Sequence, residues 1–166
     1  IKSPADLPGS VLGAPPPDGA WAQFPSFAKA NGLDMTKIKV EPVGFPTREP
    51  MLAEGKVASV TGYSFSSFLN LVRLGVPEED ITTILMADHG LKLYGNAIIV
   101  NTDFASSNAK VVKSFLGAVG KGWKDAVSNP SSAIDALVKR NPAADKNLEE
   151  RRFNLALSGN VMTDYV

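Results

Sequence analysis

The chain has no cysteine and a single histidine, His89, among its 166 residues. Disulfides, thiolate nucleophiles and cysteine metal centres are therefore excluded, and a histidine-dependent triad would hang on one residue. Neither a metal nor a cofactor is expected. Long apolar runs are missing as well, since no uninterrupted stretch approaches the roughly 20 residues that cross a bilayer. An excess of one charge is also absent, with 17 Lys and Arg balanced by 17 Asp and Glu. Without a basic stripe, no nucleic-acid partner is expected. The sequence opens at Ile1, without an initiator Met. What remains is 44% hydrophobic and 20% charged, the mixture of an ordinary globular chain.

The stretch Ser10–Trp21, SVLGAPPPDGAW, organises the rest. Ser10–Ala14 is short, apolar and bounded by turn residues, which predicts a buried strand. Pro15, Pro16 and Pro17 then forbid helix and ladder pairing and impose an ordered loop. Asp18 follows, and helical spacing resumes over Ala20–Asn31, with Gly32 as the stop. Pro25 inside that helix predicts a kink or a restart.

Further along, Lys37–Val43 alternates as a half-exposed strand, and Thr47 caps a short helix running to Glu54. Val57–Tyr63 is a second buried run, Phe65–Leu74 a helix, and Ile81–Ala87 another strongly apolar strand. The order β-α-β-α-β-α-β predicts an α/β fold with a mostly parallel sheet and flanking helices. It also sends Pro15–Trp21, Thr61–Ser64 and Ala87–Gly90 to one carboxyl edge, where open α/β sheets bind ligands. Ala97–Val100 reads as one more strand. From Ser107 the chain is helical, with Val111, Val112, Phe115, Leu116, Val119, Trp123 and Val127 on one apolar stripe. Asn129-Pro130 and Asn141-Pro142 start two further helices, and Trp123 is expected in the core.

Each candidate residue has a functional and a structural reading. Asp18 either caps the helix or accepts a hydrogen bond from a ligand. A carboxylate there already occupies the positive field of the helix start, which favours a neutral or amine-bearing ligand over an anion. Trp21 either stacks on a flat ligand or packs in the core. Tyr63 offers a ring and a hydroxyl at a strand end, beside Thr61, Gly62 and Ser64, small polar groups that permit close backbone approach. Pro17 shapes the same rim. Asp88 and His89 form a conceivable acid–base pair, but sequence neighbours at a strand end point apart and no nucleophile motif accompanies them. A loop carboxylate that meets a ligand or the solvent is the better reading of Asp88, and no catalytic residue is assigned.

Six segments carry a family resemblance. They are SPADLPGSVLGAP at Ser3–Pro15, AKANGLD at Ala28–Asp34, LAEGKVASVTGY at Leu52–Tyr63, GVPEEDI at Gly75–Ile81, HGLKLYGN at His89–Asn96, and FLGAVGKGWKDAVSNPSSAIDALVKRNP at Phe115–Pro142. In that order and spacing they resemble the NMT1/THI5-like solute-binding proteins of ABC importers, which have the type II periplasmic-binding-protein fold. The resemblance implies a two-lobed molecule that clamps its solute in the cleft between lobes. Residues 1–93 would form lobe 2, and residues 94–166 the return strand and C-terminal helices of an incomplete lobe 1. The chain would thus be a C-terminal fragment, and a signal peptide is expected in the N-terminal part that precedes it. Gly90, Tyr94 and Gly95 would act as hinge residues, and Tyr94 and Asn96 would also reach the ligand. The family's Gly-x-Val-Asp-Ala segment has Ala58 in place of its aspartate here.

The implied function is capture of a small organic solute, a thiamine-precursor pyrimidine or a similar nitrogenous compound, outside the cytoplasm. Delivery would be to the membrane permease of an ABC importer. A sulfonate, taurine or nitrate binder of the same fold is the alternative. A pyrimidine-synthesis enzyme or a regulator's effector domain stands further back. An open edge at Ala97–Val100 is expected to recruit a second copy through strand pairing.

Overall fold

Val11–Ala14 forms β1, the central strand of a three-stranded parallel sheet in the order β2-β1-β3. The computed structural model describes residues 1–93 and 95–161, which fall into two compact units, Ile1–Leu93 and Tyr94–Val166. β2 (Lys39–Pro42) pairs with β1 from Val11↔Lys39 to Ala14↔Pro42. β3 is only Ser59–Val60, paired with Leu12 and Gly13. Parallel neighbours need crossovers. α1 (Gly19–Ala30) connects β1 to β2, and α2 (Arg48–Ala53) connects β2 to β3. α3 (Ser64–Arg73) follows β3 and packs on α2.

The core of this unit lies between β1 and α1. Leu12 of the strand meets Phe24, Phe27 and Ala28 of the helix, closed off by Leu7 and Ile38. The apolar spacing in α1 explains this face, because residues three and four apart share one side of a helix. Trp21 stacks on Phe24 at 5.6 Å and packs against the rim of this cluster, half-buried. Pro25 does not break α1. The ring sits on the exposed side of a helix that runs without interruption from Gly19 to Ala30.

Two expected strands do not form. Ile81–Ala87 makes no ladder, and Met86–His89 coils into a 3-10 turn closed by Gly90 in the left-handed region, φ 89°. The two-residue β3 is too short an edge for a fourth strand to zip onto, and Ile84, Met86 and Leu91 pack onto the α1 core instead. Ala97–Val100 is likewise in no regular element, with Ile99 94% exposed. The premise of strand pairing between copies is absent.

The second unit is helical: α4 (Thr102–Ser107), α5 (Ala109–Ser128), α6 (Pro130–Arg140) and α7 (Lys146–Ala156). Asn129 caps α6 by accepting from the Ser132 amide at 3.1 Å, as the Asn-Pro motif predicts. Asp145 caps α7, accepting from the Leu148 amide, so the last helix starts after Asn141-Pro142 and not at it. α5 packs on α4 and α6, yet much of its apolar stripe is left uncovered within the unit. Trp123, expected in the core, is 41% exposed and meets Phe153 edge-on at 6.5 Å. A hollow of about 340 Å³ lies between Ile98–Val100 and the α5 residues Val111, Val112, Phe115 and Leu116. Among the described residues no helix is long and apolar enough to cross a membrane.

Candidate functional site

Three loops leave the carboxyl ends of β1, β2 and β3 and meet at one edge of the sheet. In the order 2-1-3 the chain reverses its winding direction between β1 and β3, the place where parallel sheets open a crevice for ligands. The β1 loop delivers Asp18, the β2 loop leads to Arg48 and Glu49, and the β3 loop begins with Thr61 and Gly62. All four charged or hydroxyl-bearing groups, Asp18, Arg48, Glu49 and Thr61, are buried.

Asp18 is the N-cap of α1. Its Oδ1 accepts from the Ala20 amide at 3.2 Å, and its Oδ2 accepts from the Thr61 hydroxyl at 3.0 Å. The Thr61 bond ties the end of β1 to the end of β3. Arg48 Nη1 stands 3.7 Å from the same Oδ2, an ion pair beyond hydrogen-bond reach. The rest of the guanidinium turns to Glu49, whose Oε1 accepts from Arg48 Nε at 2.9 Å and Nη2 at 2.7 Å. The Ser67 hydroxyl donates to that oxygen at 2.7 Å and accepts from Nη2 at 3.2 Å, which joins α3 to the network. Two carboxylates thus enclose one guanidinium, a formal surplus of one negative charge. Buried charges persist only when paired and hydrogen-bonded in this way.

Gly62 makes the arrangement possible. A Cβ there would lie 2.6 Å from Ser67 Oγ and 2.9 Å from Arg48 Cζ, so the guanidinium rests directly against the backbone of the rim. Gly62→Ala is expected to destabilise the chain by about 1–3 kcal/mol through overpacking, read as a lower urea midpoint with an unchanged slope. A midpoint equal to wild type would show that the network yields without cost.

The structure brings Pro17, Asp18, Thr61, Gly62, Tyr63 and Ser64 to this edge. Tyr63 is 50% exposed and stacks on Phe65 at 5.6 Å. Trp21 lies one turn into α1 from Asp18. Asp88 is elsewhere. Its neighbour His89 meets Phe27 edge-on at 6.4 Å and gives its carbonyl to Asn31 Nδ2 at 2.9 Å, at the carboxyl end of α1. That is about 18 Å along the helix from Asp18. The expected common rim of Pro17, Tyr63 and Asp88 therefore loses Asp88, because the strand that would have carried it does not form. Asn96 and Gly95 are exposed residues of the second unit, and Tyr94 lies outside the described residues.

Arg48, Glu49 and Ser67 escaped the sequence reading. An adjacent Arg-Glu pair in a short helix reads as a solvated face, and only its position right after a strand-end loop marked it.

Residues 1–133 match the family model described as NMT1/THI5 like. The chain is 28% identical over 145 residues to the riboflavin-binding protein RibY of Chloroflexus aurantiacus, a match covering 87% of this chain and 40% of that protein. It is 24% identical over 162 residues to a formylaminopyrimidine-binding protein of Halalkalibacterium halodurans, over 95% of this chain and 48% of that protein. The chain spans less than half the length of either relative.

Proposed function

The chain belongs to the NMT1/THI5-like family, and we propose that it serves in capture of a small, flat nitrogen heterocycle for an ABC importer outside the cytoplasm. The observation that carries this reading is the buried Asp18–Thr61–Arg48–Glu49 network beneath an edge where three parallel strands end. Such a network fixes a rim and performs no chemistry, which suits a binder that must be preorganised. The named compounds of the two relatives, riboflavin and formylaminopyrimidine, both contain a flat nitrogen heterocycle.

In this reading Asp18 holds Thr61 and the start of α1 in place, while Pro17, Gly62, Tyr63 and Ser64 face the solute. Asp18 in the field of the α1 start and the surplus negative charge both oppose an anion, which ranks sulfonates and nitrate behind neutral or amine-bearing rings. Residues 1–93 act as one ligand-binding lobe, residues 94–166 belong to the other, and Gly90, Tyr94 and Gly95 take up the backbone rotation of closure. The partner that receives the solute is a membrane permease. Native mass spectrometry of the complete protein, purified without denaturation, tests the reading. A co-purified heterocycle is the expected result, and a co-purified sulfonate would overturn it.

The uncovered stripe of α5 carries a further expectation. With Phe115 56% exposed beside Ile98–Val100, this chain by itself self-associates through that face. Sedimentation of the 166-residue chain should show a concentration-dependent dimer that Phe115→Glu converts to monomer. A wild-type monomer at all concentrations would sink this.

A further inference from the structure

Arg48 has five N–H donors, and the network uses those of Nε and Nη2. Nη1 has only the Asp18 ion pair at 3.7 Å, too long for a hydrogen bond. The side chain is 10% exposed, and Nη1, which makes no hydrogen bond among the described residues, is held in a fixed position and is not itself sealed from solvent. It lies 3.0 Å from where a Gly62 Cβ would stand, directly behind the rim of the candidate site. Over the same guanidinium, 5.8 Å from ring centroid to Cζ, stands Phe45. Phe45 comes from the loop after β2 and is 50% exposed. An aromatic ring held at a sheet edge and left half open to solvent is an apolar wall beside that donor.

We propose that Arg48 Nη1 and the Phe45 ring form the specificity-determining subsite of the lobe, with Nη1 donating to a carbonyl oxygen or lone-pair ring nitrogen of a neutral planar heterocycle and Phe45 lining its apolar side. This rests on the heterocycle-binding reading above and deepens it. The charge balance sets the class of ligand. Asp18 and Glu49 already neutralise Arg48 and leave one negative charge over, so the guanidinium serves as a hydrogen-bond donor and not as an anion trap. A neutral acceptor gains a charge-assisted bond there, whereas a sulfonate meets two carboxylates. A ligand lacking the acceptor leaves Nη1 unpaired, the kind of mismatch by which polar sites reject analogues.

The test is calorimetric titration of the complete protein with riboflavin and with formylaminopyrimidine, for wild type, Phe45→Leu, Phe45→Trp and Arg48→Lys. Wild type is expected to bind at least one probe. Phe45→Leu and Arg48→Lys should each raise its Kd about tenfold or more. Phe45→Trp should stay within about threefold and show tryptophan quenching by the bound probe in excess of that from Trp21 and Trp123 in wild type. Phe45 is half exposed and lies outside the hydrogen-bonded network, so Phe45→Leu is expected to fold and decides the matter even if Arg48→Lys does not. Tight wild-type binding with Phe45→Leu within twofold of it would overturn the subsite and leave the function standing. Wild type binding neither probe would overturn both.

Discussion

Replacing Arg48 with methionine is expected to lower the unfolding free energy by about 3–5 kcal/mol, the loss seen when one partner is removed from a buried ion pair. The reason lies in what is left behind. Asp18 and Glu49 stay buried with their other hydrogen bonds, now without the guanidinium that stands 3.7 Å and 2.7 Å from them. Ser67 loses an acceptor role and keeps its donation to Glu49. Urea denaturation of the chain measures the loss as a lower midpoint at constant slope. The triple variant Arg48→Met, Asp18→Asn, Glu49→Gln should recover part of it, because no uncompensated charge remains. A loss below about 1 kcal/mol would place these pairs with ordinary surface salt bridges, screened by water, and the rigidity argued for the rim would have no energetic basis.

The contrast between Asp18 and Arg48 shows what could be read from the chain in advance. A strand, three prolines and an aspartate before a helical pattern dictate a cap locally, and the Asp18–Ala20 bond is that cap. Arg48 acquires its role only when three strand ends converge, which depends on residues 30 and 13 positions away, Asp18 and Thr61. Ser10–Ala14 and Lys37–Val43 were legible as strands because turn residues bound them and their partners are long enough to pair. Ile81–Ala87 has the same apolar character, but a ladder needs an edge, and β3 supplies two residues. The stripe of α5 was legible as an apolar face, though periodicity does not say what covers it. Trp123 followed the rule for spacing and still lies 41% exposed.

Phe27→Ala is expected to cost about 3–5 kcal/mol, as for other buried Phe truncations, and to loosen one segment more than the rest. Phe27 is 2% exposed and touches both sides of an unusual junction. Its ring meets Phe24 at 5.7 Å within α1 and His89 edge-on at 6.4 Å on the 3-10 turn. That turn has no sheet to hold it. Its attachments are Ile84, Met86 and Leu91 against the α1 core and the Asn31–His89 hydrogen bond. Removing the ring leaves a cavity where these side chains dock, so residues 86–91 should open at lower free energy than the sheet. Native-state hydrogen exchange reads this directly at the Asp88 and Leu91 amides, which bond the Leu85 and Met86 carbonyls. Protection of those two amides should fall further than that of the Thr61 amide, bonded to Gly13 at 3.2 Å. If all three lose protection in equal measure, the segment unfolds only with the whole lobe. The stretch leading to Gly90 would then be as rigid as the sheet and could not absorb the rotation of a closing cleft.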